Sequence, residues 1–546
     1  MKRIIISCLA IAATVAVQAQ NPYSNYQMVG TSDVIGTSRY VSMGGAMGAL
    51  GADISVMSNN PAGIGLYRRN DVSVTMGAQI QEEEPRYGDS RTHFTFDQIG
   101  FVAAFPSEFS ESSWAFGMNL QKKANFAFSQ SCGYNGLNGL SQAAQFRELF
   151  YSKYWDFNAG DIYDGTEAAL PVRADDAMLY DIADAGGNTL GIRSNSYDYY
   201  RKTSGNLYGL DLNISGAINS QVFLGMTLGI DFLRYRSNYQ YVEFRDGSDG
   251  SDQDYDIISN QRVDGTGFNF KFGTIIRPFE DSPFRFGVAI ETPTWYRLTQ
   301  EDSYYSFASA NDNYLSNGDA LYDQVITEND GSRSYIYDSY DGNYMDYNVF
   351  APWKFRLSAG STVENIFAWD IEYEYAMYNK TKMGSPRDYD YDGPSTDMDK
   401  DRAMGELNDR VMNGVHNFRV GMEVKPVPEL AIRAGYNFFS RPMKKSGRLD
   451  QGIGSEAFDY SLSTDYMNLN EAHVFTVGLG YRYKKFYADL AYKYRNQSGD
   501  FYAFDDQYQA YGASDPQFMM TSATALQPTE VCLDRHNLTF TLGFKF

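Results

Sequence analysis

The clearest pattern in the chain is an alternation of apolar and polar residues at its C-terminal end. The stretch HNLTFTLGFKF (536–546) has five apolar residues on one face of an extended strand and polar or small residues on the other. Side chains alternate sides along a strand, so this segment would have one apolar and one polar wall. Segments of about ten residues with this alternation are typical of transmembrane β-barrels.

The same alternation recurs along the chain, and the count of such segments predicts an all-β, 14-stranded antiparallel transmembrane barrel. The predicted strands are 71–80, 93–105, 113–126, 207–218, 222–235, 267–278, 284–293, 353–361, 366–378, 416–424, 430–438, 473–483, 486–494 and 536–546.

The lengths of the connections support this count. Short turns alternate with seven longer segments: 81–92, 128–205, 245–264, 299–349, 379–415, 439–472 and 495–535. Bacterial barrels have short periplasmic turns and long extracellular loops, so we expect both termini on the periplasmic side. We also expect a partly helical extracellular insertion at 128–205, within a barrel that spans 71–546.

The first residues have the pattern of a secretory signal peptide. Lys2 and Arg3 precede an apolar run, and small residues follow near Ala19. We predict a signal peptide at 1–19 that is removed from the mature protein. After Ala19 no apolar run is long enough for a membrane-spanning helix, so strands remain as the means of crossing.

Composition and charge narrow the class of protein further. The formal net charge of −22 argues against a nucleic-acid partner, and 44 tyrosines with 36 phenylalanines suit a barrel with aromatic girdles. No nucleophile motif is convincing, so we expect no enzyme activity and no cofactor. The expected location is the outer membrane of a Gram-negative-type bacterium, in contact with outer-membrane lipid.

The stretch MGGAMGALGADISVMSNNPAGIG (43–65) precedes the first strand and is rich in small residues. Its glycines lack the spacing of a phosphate-binding or dinucleotide-binding loop. A 14-stranded barrel is wide enough to need a filling. We therefore predict that residues 20–70, called the hatch segment below, enter the barrel and plug its lumen.

The hatch segment carries a specific resemblance. The stretch SRYVSMGGAMGALGADISVMSNNPAGIGLYRR (38–69) resembles the N-terminal hatch of the FadL/TodX family of outer-membrane transporters for long-chain fatty acids and aromatic hydrocarbons. Weaker echoes follow along the barrel, for example ETPTWY (291–296) and APWKFRLSAG (351–360). The family's 14-strand barrel agrees with the count made above.

The resemblance implies a passive uptake channel for small hydrophobic molecules. In the family, outer loops capture the ligand, a lumen pocket holds it, and a hatch controls its passage. The alternative is a FadL-like barrel that serves as a structural or interaction subunit of a larger outer-membrane protein complex.

The resemblance also suggests site residues. Hatch gating would involve Asn60, Pro61, Ala62 and Gly63. A family-like lateral exit in the third strand would have its weak point at Gly117.

Two further features were assigned from the residues themselves. An apolar groove in the outer loops is predicted from Ala143, Phe146 and Phe150, which would share one face of a helix. Phe544 and Phe546 resemble the closing-strand signal that barrels present to the assembly machinery.

The polar face of the predicted strands is charged. We expect these side chains to line a solvated interior with ion pairs, although one or two of the basic residues could instead meet a carboxylate ligand. They are Asp211, Asp231, Lys271, Arg285, Glu291, Lys354, Arg356, Asp370, Glu372, Arg419, Glu423, Arg433, Arg482 and Asp489.

Metal sites are weakly indicated. Asp388, Asp390, Asp392 and Asp399 have the spacing of a calcium loop, but Asp at the last position would weaken bidentate binding. His416, His473 and His536 each lie two residues from an apolar, lipid-facing residue, so we expect them in the interfacial girdle beside tyrosines.

Overall fold

The wall of the molecule is a closed antiparallel barrel of 14 strands. The computed structural model describes residues 21–30, 33–83, 89–106, 112–142, 145, 155–156, 161–162, 194–246, 252–279, 281–309, 324–327, 333–364, 366–386, 398–450, 464–505 and 526–546. Each strand pairs with the next, and the last strand pairs with the first from Asp71↔Lys545 to Gln81↔Arg535. The predicted fold class is therefore confirmed for the barrel.

The strands that form the wall are numbered here in chain order. They are β1 (Asp71–Gln81), β2 (Thr92–Pro106), β3 (Ser113–Asn125), β4 (Ser196–Ala217), β5 (Val222–Asp246), β6 (Asp252–Ile276), β7 (Arg285–Glu291 and Trp295–Ser309), β8 (Arg333–Phe350 and Lys354–Val363), β9 (Phe367–Ala376), β10 (Val415–Val427), β11 (Leu430–Phe439), β12 (Tyr466–Tyr483), β13 (Phe486–Tyr502) and β14 (Arg535–Lys545). Both β7 and β8 are interrupted next to a proline, Pro293 and Pro352, which has no N–H to give to the ladder.

Shorter elements lie at the ends of the wall and inside it. The short strands are Phe128–Tyr134, Trp155–Asp156, Asp161–Ile162, Gln324–Thr327, Lys382–Pro386, Met398–Lys400 and Thr529–Cys532. The helices are α1 (Pro22–Asn25), a π-helical turn (Tyr26–Gly30), α2 (Ser38–Ser42), three 3₁₀ turns (Ile54–Ser58, Pro61–Leu66 and Tyr378–Lys380) and α3 (Arg402–Val411). Across the described residues, no helix is long and apolar enough to cross a membrane.

The alternation read from the sequence appears directly in the burial of β14. Phe540 and Leu542 are 46% and 50% exposed on the outer wall, whereas Thr539 and Thr541 are 5% and 0% exposed on the inner side. Exposed apolar side chains on the outside and buried polar ones inside are the inverse of a water-soluble protein. They are what a wall in contact with lipid requires.

Several strands, among them β4, β5 and β6, are much longer than the sequence analysis predicted. β4 has 22 residues, and β5 and β6 have 25 each. At about 3.3 Å per residue these strands reach roughly 70–80 Å, far beyond a hydrocarbon core of about 30 Å. Within the predicted insertion at 128–205, residues 128–134 and 196–205 form strands, and the partly helical, extracellular character expected for this insertion stays a prediction. In the long-loop parts of these strands the pattern is inverted: tyrosines such as Tyr239 and Tyr241 are buried on the inner face, and polar residues such as Asn238 are exposed on the outer face. The apolar outer face by which the strands were recognised is therefore absent there.

Three outward-facing histidines lie at the long-loop ends of neighbouring strand pairs. The Nδ1 atoms of His416, His473 and His536 are 2.7–2.8 Å from the hydroxyls of tyrosines on the adjacent strands. The predicted neighbourhood of histidine and tyrosine is confirmed. Such amphipathic rings are typical of the level where a barrel wall passes from lipid to water.

The lipid contact of the outer wall can be tested at Phe540. We expect Phe540→Arg to destabilise the folded barrel in lipid vesicles by about 2–4 kcal/mol, because a charge would then face hydrocarbon. Phe540→Leu is the matched control and should cost much less. The measurement is urea-dependent folding into phosphatidylcholine vesicles, and equal costs for the two variants would contradict a lipid-facing wall.

Candidate functional site

The hatch segment lies inside the barrel and contacts strands on several sides of it. Arg39 pairs with Glu423 of β10 at 3.3 Å, and Asp33 pairs with Lys493 of β13 at 2.7 Å. The Ser38 backbone N–H donates to the Thr541 hydroxyl of β14. Polar side chains of the inner wall therefore serve as partners for a segment that has little regular secondary structure of its own.

One carboxylate cluster holds the turn at the centre of the hatch segment. Asp370 accepts hydrogen bonds from the backbone N–H groups of Ala49 and Leu50 at 3.0 and 2.8 Å. Glu372, two residues along β9, accepts from the Gly48 N–H at 3.2 Å. Hydrogen bonds to a charged group in buried surroundings are worth about 1.5–3 kcal/mol each. This contact is therefore a main attachment of the hatch segment to the wall.

The Asn60–Gly63 motif is packed tightly against the wall. The Asn60 amide group donates to the Gly48 carbonyl at 2.8 Å and accepts from the Ala62 N–H at 3.2 Å. Pro61 lies so close to β5 and β6 that a Cβ atom at Gly225 would come within 2.4 Å of its carbonyl carbon. Glycine on the wall is what allows this approach. The four motif residues are buried, and their role in gating stays a prediction.

Most lumen arginines singled out from the sequence are paired with carboxylates of the chain itself. Arg356 pairs with Glu291 at 2.7 Å and also with Glu374. Arg433 pairs with Glu423 at 2.6 Å, and Arg419 pairs with Glu372. The expected ion-paired interior is confirmed for these residues. These arginines are poor candidates for binding a ligand carboxylate, because each guanidinium group already pairs with a glutamate of the chain.

A cavity of about 150 Å³ lies in the lumen beside α1 and the end of β3. Its wall includes Phe128, Tyr466 and Phe501 together with Arg201, Arg495 and Arg535. The sequence analysis missed these arginines, because all three lie in the segments read as loops, 128–205 and 495–535. No composition signal distinguished them from surface charges.

The third strand leaves the wall next to this cavity. β3 pairs with β2 only as far as Gln121↔Gln98, and its register to β4 shifts between Lys122 and Ala124. Beyond the shift, the strand continues as Phe128–Tyr134 and pairs with β4. Within the described part of the chain, the segment of β2 from Thr92 to Asp97 is paired with β1 alone.

Side chains close the resulting gap between β2 and β3. The Tyr208 hydroxyl of β4 crosses it and donates to the Phe96 carbonyl at 2.8 Å. Lys122 is 3.4 Å from Asp97 of β2, and Lys123 is 2.6 Å from Asp231 of β5. Two consecutive lysines at the register shift are thus tied to opposite sides of the break. The opening is closed by side chains rather than by backbone hydrogen bonds.

Gly117 lies in an intact part of the wall. It pairs with Val102 of β2 and with Asn213 of β4, so the strand is held on both sides there. A Cβ at Gly117 would come within 2.2 Å of the Met57 methyl group, so the glycine makes room for the hatch segment. The departure of β3 from the wall begins five residues later than the position suggested by the sequence.

The remaining predicted sites are only partly covered by the structure. Ala143, Phe146, Phe150, Asp388, Asp390 and Asp392 lie outside the described residues, and for Asp399 only the backbone is described. The described residues contain no group of three or more metal-binding side chains. Phe544 and Phe546 end β14 with their ring centroids 5.5 Å apart, and their role in assembly stays a prediction.

Comparison with known proteins gives a likeness of fold. No family model and no curated protein matches the chain. Among solved structures it is similar to a Pseudomonas aeruginosa FadL homologue, with 12% sequence identity, a TM-score of 0.50, and coverage of 94% of this chain and 99% of that chain.

The chain is also similar to two toluene transporters at lower scores. TodX of P. putida has 10% identity and a TM-score of 0.46, and TbuX of Ralstonia pickettii has 11% identity and a TM-score of 0.44. Each match covers 94% of this chain and 99% of the other. Identity this low shows the fold alone. The resemblance read from the sequence is confirmed at that level, and the chain has the fold of the FadL homologue.

Proposed function

We propose that the protein is an outer-membrane channel for the passive uptake of small hydrophobic molecules. The observation that carries this proposal is a lumen cavity that adjoins a break in the wall, between β2 and β3, above a segment that fills the barrel. A general diffusion pore has no need of a filled lumen. Transfer of an apolar solute from water into lipid is favourable, so no energy source is required.

The proposed route runs sideways. A ligand would enter between the long loops, which we place outside the cell, and would rest in the cavity beside Phe128. It would then leave for the membrane through the gap that Tyr208 and Lys122 close. Straight passage to the periplasm would be blocked by the hatch segment, whose turn at Gly48–Leu50 is bound to Asp370 and Glu372.

The hatch segment would act as the gate for axial leakage. Its attachment to β9 includes three backbone hydrogen bonds and one from the Asn59 amide group, all accepted by two carboxylates. Its Asn60–Gly63 motif holds the Gly48 carbonyl on the opposite side of the same turn. A movement of Asn60, Pro61, Ala62 and Gly63 would therefore release the turn. The two sets of contacts would work as one closure.

The uptake function is tested by transport of a hydrophobic probe. Cells that produce the chain should accumulate radiolabelled toluene or palmitate faster than cells that lack it. If neither probe enters faster and purification yields a fixed ratio of tightly bound membrane proteins, the chain is a subunit of a complex instead.

If Asp370 and Glu372 hold the hatch segment in place, neutralising both carboxylates should let small solutes leak through the barrel. We expect Asp370→Asn with Glu372→Gln to raise small-solute permeability in liposomes about tenfold or more, because a loss of 1.4 kcal/mol is a factor of ten. Asp264→Asn is the control, since Asp264 pairs with Arg234 and Arg262 on the partly exposed face of β6. Liposome swelling with sugars of increasing size is the measurement. Permeability equal to that of the control would show that these bonds do not hold the closure.

The side opening makes a separate prediction. We expect Tyr208→Ala to speed uptake of a hydrophobic probe severalfold, because the ring that spans the gap is removed. Tyr208→Phe loses only the hydrogen bond to the Phe96 carbonyl, worth about 1 kcal/mol, and should have a smaller effect. Uptake is measured in cells at equal surface levels. An unchanged rate in Tyr208→Ala would argue for a different exit.

A further inference from the structure

The size of the lumen cavity limits what it can hold. Its volume is about 150 Å³. A buried apolar cavity of about this size in another protein accommodates one benzene molecule. A long-chain fatty acid is several times larger than a single ring. The cavity as it stands therefore suits one six-membered ring with a small substituent.

The wall of the cavity is aromatic on several sides. Phe126, Phe128, Tyr235, Tyr466 and Phe501 all contribute to it. Rings in such surroundings prefer offset or edge-to-face contacts with another ring, and each pair adds about 0.5–1.5 kcal/mol beyond burial. The lining therefore favours an aromatic ligand over an aliphatic one of equal size.

The charges on the wall are already matched, except at one residue. Asp465 pairs with Arg201 at 2.8 Å, and Asp33 pairs with Lys493 at 2.7 Å. Arg535 forms no ion pair with any described residue, and its closest polar contact is the Asn125 carbonyl at 3.4 Å. Its guanidinium carbon lies 4.7 Å from the centre of the Phe128 ring. A cation is therefore held against an aromatic face, and no carboxylate of the described residues lies within ion-pair distance of it, although Asp33 lines the same cavity.

Hydrogen-bond donors around the cavity also lack acceptors. The buried Nε atom of Arg535, the amide nitrogen of Gln130 and the hydroxyl of Tyr23 have no partner among the described residues. Buried donors without partners cost free energy, so a ligand that accepts hydrogen bonds would be favoured here. A carboxylate presents two acceptor oxygens and a negative charge, and guanidinium binds it with two parallel bonds.

We propose that this cavity binds a single-ring aromatic carboxylate, with the ring against Phe128 and Phe501 and the carboxylate at Arg535. The inference rests on the proposed uptake function and names its substrate class. A neutral hydrocarbon would leave Arg535 without an ion-pair partner, and most of a long-chain fatty acid would lie outside the cavity. Benzoate has the size, ring and charge that the wall matches.

The test is calorimetric titration of the full chain, purified in detergent, with benzoate, toluene and palmitate. We expect benzoate to bind most tightly. Arg535→Gln should weaken benzoate roughly tenfold to a hundredfold, as expected for loss of charged hydrogen bonds, and should leave toluene nearly unchanged. Arg297→Gln is the control, because Arg297 is exposed and pairs with Asp346 outside the cavity.

A second variant distinguishes a specific loss of benzoate binding from misfolding of the protein. Gln130→Glu places a negative charge on the cavity wall and should abolish benzoate binding while toluene still binds. Toluene or palmitate binding more tightly than benzoate to the native chain would overturn the aromatic-acid proposal and leave the uptake function standing. If none of the three probes binds and cells show no uptake, the proposed function itself fails.

Discussion

The structure depends on one constraint: a segment with only short helical turns must have its backbone polar groups satisfied inside a barrel. The wall meets this constraint with buried carboxylates, and Asp370 and Glu372 accept three N–H groups from a single turn of the hatch segment. These acids need cations nearby, because an isolated buried charge is costly. Glu372 meets that need by pairing with Arg419, and Arg419 and Arg356 both pair with Glu374. The charged side chains of the inner wall thus provide the hydrogen-bond partners that the hatch segment needs.

Because the hatch segment fills the lumen along the barrel axis, the wall is where a passage is to be sought. β3 is the strand that departs from regular pairing, and its departure is stabilised by Lys122 and Lys123 on opposite sides. The cavity lies next to this departure, and its arginines and rings come from α1, from Phe126 and Phe128 just after β3, from β4 and β5, and from the last three strands. A barrier along the axis, a cavity and a break in the wall form one arrangement. The proposed lateral route is the simplest use of it.

The sequence revealed the parts of the fold that face lipid. In β14 the apolar positions had to alternate, because hydrocarbon lies on one side and polar groups on the other, and this made the strands countable. The long-loop parts of β4, β5 and β6 have the opposite pattern, with side chains such as Tyr199, Tyr241 and Ile257 buried on the inner side, so their extent was missed. α3 was also missed, although its buried residues Met404, Leu407 and Val411 recur at the spacing of one helix face.

The candidate site was harder to read from sequence than the wall. Arg356 and Arg433 occupy polar positions in strands whose apolar and polar residues alternate, so they could be placed in the lumen. Their ion-pair partners could not be foreseen. Arg535 is the first residue of β14, where a charged residue normally faces water. Its role depends on the path of β3, which a register shift at Lys122 determines. Such a shift leaves no periodic signal, because it is set by contacts between strands far apart in sequence.

The most direct test of the central claim, lateral passage from cavity to membrane, is photo-crosslinking with a diazirine-bearing benzoate. The full chain in lipid nanodiscs would be irradiated with the probe, and the labelled peptides identified by mass spectrometry. The account predicts labels at Phe128, at Lys122 and at Phe94, which is 92% exposed on the outer face of β2. Labels at Gly48 and Asn60 in the hatch segment, with none at Phe94, would contradict it.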